Sequence, residues 1–127
     1  MTTKIVKLIL VSLIIMFVLS YFIEMRKYTM IRKNLKYVNA SIIFVGKGVK
    51  ESEYTVRYKF DNNGTEYIEQ NGYGIYEIDK KCLEGKTFNV VYDSTNPSNS
   101  QILITKEDYS RFNIPQPDSF PCVYKCR

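Results

Sequence analysis

The run from Leu8 to Ile23, LILVSLIIMFVLSYFI, holds no charge, no proline and no glycine. Adding Ile5 and Val6, with the Lys7 ammonium turned outward, gives about 19 residues and roughly 28 Å of helix. That length matches a hydrocarbon core about 30 Å thick. A helix facing water would show a polar stripe, and this one has none. Ser12 and Ser20 can bond back to carbonyls one turn earlier. The run therefore reads as an uncleaved transmembrane anchor. A secretory signal is the competing reading, because Lys4 and Lys7 form a positive start. Its cleavage would need small residues near Ser20, whose neighbours are bulky.

The net charge of +5 comes from 18 basic and 13 acidic residues. Seven of the cations (Lys4, Lys7, Arg26, Lys27, Arg32, Lys33 and Lys36) and one acid, Glu24, lie in the first 36 residues. The rest of the chain keeps 11 basic and 12 acidic residues. A nucleic-acid domain would carry its excess cations on the folded part. Here they flank the apolar run, where each is worth about 1 kcal/mol against an anionic lipid surface. Membrane lipid is thus an expected partner and nucleic acid is not. Five Lys/Arg follow the span closely and two precede it, which by positive-inside counting points the domain to the cytoplasm. A basic start before an apolar run is also how exported chains begin, so the side of the membrane stays open.

From Glu24 to Lys36, apolar Met25, Tyr28, Ile31 and Leu35 describe one helical face. This segment reads as a juxtamembrane continuation of the anchor, with Tyr21 and Tyr28 as interfacial aromatics. The period then falls from 3.6 to 2. The segment ASIIFVG runs to Gly46, and EYTVRYKF puts Tyr54, Val56, Tyr58 and Phe60 on one face. Asp61 to Gly64, DNNG, is a hairpin turn. TEYIEQ returns, Asn71–Gly74 (NGYG) breaks the pattern, and TFNVVYD and QILIT complete the set. EIDKKCLEGK fits a short helix ended by Gly85, and KEDYSRF another, with Tyr109 and Phe112 toward the core. Pro115, Pro117 and Pro121 exclude regular structure after it.

The fold expected is all-β: a small antiparallel barrel or curved sheet of about five strands, preceded by one N-terminal transmembrane helix. Residues 1–36 are the anchor and basic segment, 37–112 the β-domain, and 113–127 a Pro-rich tail. The expected core is Tyr54, Val56, Tyr58, Phe60, Phe88, Val90, Tyr92, Ile102 and Ile104. The polar stretch Asp93–Ser100 reads as a connecting loop in which Asp93 bonds its own backbone two residues on.

The chain contains no histidine, which removes the His-based triads and the commonest metal ligand. Cys82 beside Lys81 offers a thiol of lowered pKa, against the plainer reading of a half-buried small hydrophobe. Cys122 and Cys126 are free or paired with each other, and three thiols do not complete a four-ligand zinc site. The carboxylate pairs Glu66/Glu69, Glu107/Asp108 and Asp79/Glu77 fall on strand faces or first helical turns. Gly72-Tyr73-Gly74 is too short for a phosphate loop. Asn39-Ala40-Ser41 and Asn63-Gly64-Thr65 match the glycan acceptor pattern, which is too common to weigh. No catalytic, cofactor-binding or metal-ligating residue is assigned, and no small-molecule substrate is inferred.

The segment GKTFNVVYDSTNPSNS resembles the signature of a bacterial domain-of-unknown-function family of short membrane-anchored β-proteins. The match lies at Gly85, Val90, Tyr92, Asp93, Asn96 and Pro97, and YTVRYKFDNNGTEY is similar to the family's Tyr-rich hairpin. Ser94 replaces the usual proline, and the second apolar span of many members is missing. The resemblance covers about residues 40 to 105. It implies a β-fold and membrane attachment and carries no activity. The functional expectation is a single-pass, membrane-anchored, non-catalytic module that binds a protein or envelope partner. The alternatives are a membrane-bound immunity or inhibitor protein, or a secreted β-domain after signal cleavage.

Overall fold

A computed structural model describes residues 2–124. The apolar run and the juxtamembrane segment form one unbroken helix, α1 (Thr2–Lys33). It is long and apolar enough to cross a membrane, and none of its most apolar stretch is buried in the protein. Five antiparallel strands follow: β1 (Leu35–Lys47), β2 (Glu53–Asn62), β3 (Thr65–Gly74), β4 (Thr87–Asp93) and β5 (Asn96–Ile102). Two short helices complete the chain, α2 (Lys80–Leu83) before β4 and α3 (Lys106–Arg111) after β5.

The strand order is β3-β2-β1-β4-β5. β1 is long enough to serve two partners: Leu35 to Ser41 pair with β4, and Ser41 to Lys47 pair with β2. The sheet curls until its edges β3 and β5 approach, giving a nearly closed barrel. The single-turn helix α2 lies in the connection between β3 and β4. The barrel shape by itself carries no activity. The β2–β3 hairpin turns at Asn63 and Gly64, whose φ of 52° and 87° are what a two-residue primed turn needs. Gly64 N donates to Asp61 Oδ1 at 2.7 Å.

All nine expected core residues lie in the barrel interior, seven buried and Tyr54 and Phe88 half-buried against them. Ala40, Ile42 and Val45 from β1 join them, and Ile78 and Leu83 close one end. A second apolar cluster lies outside the barrel. Ile31 of α1, Val91, Leu103, Tyr109 and Phe112 pack together, with Tyr28, Ile114 and Phe120 at the rim. The juxtamembrane face read from the sequence is therefore real at Tyr28 and Ile31, and it rests on protein.

Several boundaries differ from the expectation. The helix ends at Lys33 and β1 begins at Leu35, two residues inside the segment expected to be anchor. Asn71–Gly74 does not interrupt β3; Asn71 and Tyr73 are buried strand residues. Nor is Asp93–Ser100 a loop. The turn is only Ser94-Thr95, and β5 starts at Asn96. Pro97 is tolerated because β5 is a strand at the sheet edge and the ladder shifts register there. Residues after α3 hold no helix or strand among those described, apart from one bridge between Val123 and Ile78.

Candidate functional site

The barrel wall made of β1, β2 and β3 carries its own outward-facing apolar pair. Ladder register slips between Ile42 and Phe44, so Ile43 and Phe44 both leave the interior while Ile42 and Val45 stay inside. A bulge of this kind re-aims side chains. Ile43 is 44% and Phe44 50% exposed. Phe44 folds back over Gly46, where any side chain would collide with its ring. The Arg57 guanidinium lies 5.7 Å from the ring centre, within the range of a cation–π contact. Ile68, 54% exposed, stands opposite Lys59 on the same wall. Apolar and cationic groups thus share one open surface.

Where β3 meets β5, side chains replace the missing ladder. Asn71 acts like a peptide group: its Oδ1 accepts from Ile102 N at 2.9 Å and its Nδ2 donates to Ser100 O at 3.4 Å. The Tyr73 hydroxyl lies 2.8 Å from Ile102 O and 2.7 Å from Asp108 Oδ2, and receives Gln101 Nε2 at 3.0 Å. The Tyr58 and Ser100 hydroxyls meet at 2.6 Å. Burial, the adjacent Asp108 carboxylate and its hydrogen bond push the Tyr73 phenol well above its ordinary pKa. Burial raises Tyr58 likewise. Outside this seam a polar cleft of about 610 Å³ opens between α1, β3 and α3, bordered by Glu24, Lys27, Glu53, Glu107 and Arg111. Desolvation there lowers the Lys27 pKa against the pull of Glu69 and Glu24.

The carboxylates considered for acid–base work are largely committed to the fold. Asp108 is 3% exposed and its Oδ2 accepts from Tyr73, Ile104 N and Thr105 N. With Thr105 it forms the capping box of α3. Glu107 beside it is exposed. Asp79 caps α2, accepting from Lys81 N at 3.1 Å and Cys82 N at 3.4 Å. Glu77 accepts from Gly74 N at 3.1 Å. Glu66 pairs across from Asp61, while Glu69 sits opposite Tyr58 on the other face, so these two do not converge. No group of three or more Cys, Asp or Glu suited to a metal occurs among the described residues.

The cysteines differ from the expectation. Cys82 is neither free nor merely a small hydrophobe; it forms a disulfide with Cys122, their Cα atoms 5.2 Å apart. Cys122 is therefore neither free nor paired with Cys126, the two states read from the sequence, and Cys126 itself lies outside the described residues. Cys122 adopts a left-handed backbone, φ 72°, and its carbonyl accepts from Asp79 N at 2.7 Å. Lys86 Nζ donates toward Cys82 Sγ at 3.3 Å and Cys122 Sγ at 3.7 Å. Spacing could not reveal this bridge, since connectivity does not follow from sequence.

No protein family, curated protein or solved structure matches the chain.

Proposed function

We propose that this chain is a single-pass membrane protein whose barrel binds a protein partner through the β1–β2–β3 wall, without chemistry of its own. The outward pair Ile43 and Phe44 carries the reading. A bulge that turns two adjacent apolar side chains to solvent loses their burial, and a partner surface restores it. Arg57 and Lys59 beside them favour a partner with carboxylates around an apolar centre. The motif resemblance points the same way, to a membrane-attached β-module.

The disulfide favours an oxidising compartment for the barrel, against the positive-inside count. One of the cations in that count, Lys27, is half-buried against the protein, while Arg32 stays exposed with its Nε donating to Arg111 O at 2.8 Å. Thiol counting by mass, under denaturing conditions and before reduction, tests the side: an oxidising face leaves Cys82 and Cys122 unlabelled, whereas three reactive thiols would mean a reducing one.

A photo-crosslinking residue at position 43 or 44 in intact cells tests the binding wall. A discrete product should form there and not from Asn63 at the hairpin tip, and Ile68→Asp should abolish it while thermal stability holds. Equal products from all positions, or none, would contradict the reading.

A further inference from the structure

The Cys82–Cys122 disulfide has a cation set against it. Lys86 Nζ lies 3.3 Å from Cys82 Sγ and 3.7 Å from Cys122 Sγ. The fold puts it there. Gly85, at φ 77°, follows α2, Lys86 N donates to Leu83 O at 3.1 Å, and Lys86 O accepts from Ile42 N of β1 at 2.9 Å. Sulfur is a weak acceptor, so the ammonium gains little while the bond is closed. Beside a thiolate it gains far more, which is why a neighbouring Lys lowers the pKa of a thiol. The position of Lys86 suits the open bond better than the closed one.

The two sulfurs are unequally placed. Cys82 is half-buried, and its contact with Lys86 lies at the surface. Cys122 is 8% exposed and holds a left-handed backbone that residues other than glycine seldom adopt. Strain of that kind persists only while the surroundings impose it, and the bond to Cys82 is one such constraint. The disulfide is therefore open to attack at Cys82, and Cys122 is the sulfur that departs.

We propose that Cys82 is a site of thiol–disulfide exchange, forming a mixed disulfide with an external dithiol. One thiolate of the dithiol attacks Cys82 Sγ. A new sulfur–sulfur bond forms there, the Cys82–Cys122 bond breaks, and its electron pair leaves on Cys122 Sγ beside Lys86. The second thiolate of the dithiol then attacks the dithiol's own sulfur in the mixed disulfide, and Cys82 leaves as a thiolate beside the same ammonium. The dithiol ends as a disulfide, and the two protons it gave up end on Cys82 and Cys122. The exchange is a stoichiometric change of state and involves no residue of the β1–β2–β3 wall. Its consequence falls on the tail. Cys122 O accepts from Asp79 N, Tyr124 N donates to Glu77 O at 3.0 Å, and Val123 bridges Ile78. Without the covalent link, residues 122–124 keep these backbone contacts and lose their tether to α2.

The test uses the full oxidised chain in detergent, with Cys126→Ser to keep the third thiol of the sequence out of the exchange. Reduction by dithiothreitol under native conditions is followed by mass after acid quenching and alkylation. Its rate should rise in proportion to the dithiothreitol concentration. Lys86→Gln should lower that rate about three- to tenfold by removing the charge that steadies each leaving thiolate. Lys80→Gln, which removes a charge set against Glu84 instead, should change it less than about twofold. Glutathione, a single thiol, should leave its adduct on Cys82. A rate independent of thiol concentration would mean that the bond is reached only after the fold opens, and would overturn the proposal. Equal effects of the two lysine substitutions, a glutathione adduct on Cys122, or failure of the two thiols to pair on oxidation would each overturn it as well.

Discussion

The barrel interior and the patch that fastens α1 to its outside are both small apolar clusters, but they are assembled by different rules. The interior draws one face from each strand, and residues two apart along β2 (Tyr54, Val56, Tyr58 and Phe60) enter it together. The outer patch takes Ile31 from α1, Val91 from β4, Leu103 from just beyond β5, and Tyr109 and Phe112 from α3 and its end. A period of two therefore marks the first and no single period marks the second. Strand β4 belongs to both. Val90 and Tyr92 face inward while Val91 faces α1, so three consecutive residues are buried. A strand covered on both faces loses its alternation, and the run VVY is the trace of a second layer.

The largest expected effect breaks the inner cluster. Val90→Asp places an unpaired charge at a position 0% exposed and should cost more than about 4 kcal/mol, enough to unfold a small domain. Circular dichroism should show loss of the cooperative thermal transition. An unchanged midpoint would mean that the interior is not where the stability lies.

Reduction of Cys82–Cys122 comes next. It opens a loop with a sequence separation of 40, worth about 4 kcal/mol in the chain-entropy account. Because Ile78, Leu83 and Cys122 cap the inner cluster, thermal unfolding should shift downward with reductant. The Ile31 patch should open no earlier than the barrel end does.

A smaller effect falls on the seam. Tyr73→Phe removes the hydroxyl that joins Ile102 O, Asp108 and Gln101 and should cost about 1–3 kcal/mol. Its signature is in pH. The folded Tyr73 has a raised pKa, so its contribution is complete below about pH 10, the unfolded value, and is lost as pH rises through the folded one. Wild type should lose stability above about pH 10, and Tyr73→Phe should lose less over the same interval. Parallel pH curves for the two would leave the seam without its proposed role.

What the sequence made legible follows the same division. The long apolar N-terminal helix, the Asn63-Gly64 turn, nine interior residues, both short helices and the Asp93 bond to Thr95 rest on local chemistry or short periods, and the structure contains them. Asn71 and Tyr73 are hidden because Gly72 and Gly74 read as breakers, whereas Gly72 between them and Gly74 at the strand's end leave β3 intact at the seam. Asn96 to Ser100 reads as loop because its polar residues sit on an edge strand with a register shift, where a proline and exposed amides are tolerated. The disulfide and the Ile31 patch depend on which distant segments meet. Periodicity holds no record of that.

The claim that one apolar cluster holds the barrel together and a separable one fastens it to the long apolar helix is tested most directly by native-state hydrogen exchange on the full chain in detergent, with and without Ile31→Ala. That truncation should cost about 2–4 kcal/mol within the outer patch. Amides of residues 28–33 and 109–112 should then exchange at least about tenfold faster, while those of Val56, Tyr58 and Val90 stay within about twofold. Equal acceleration of both sets would show one cooperative unit, and no acceleration anywhere would show that Ile31 fastens nothing.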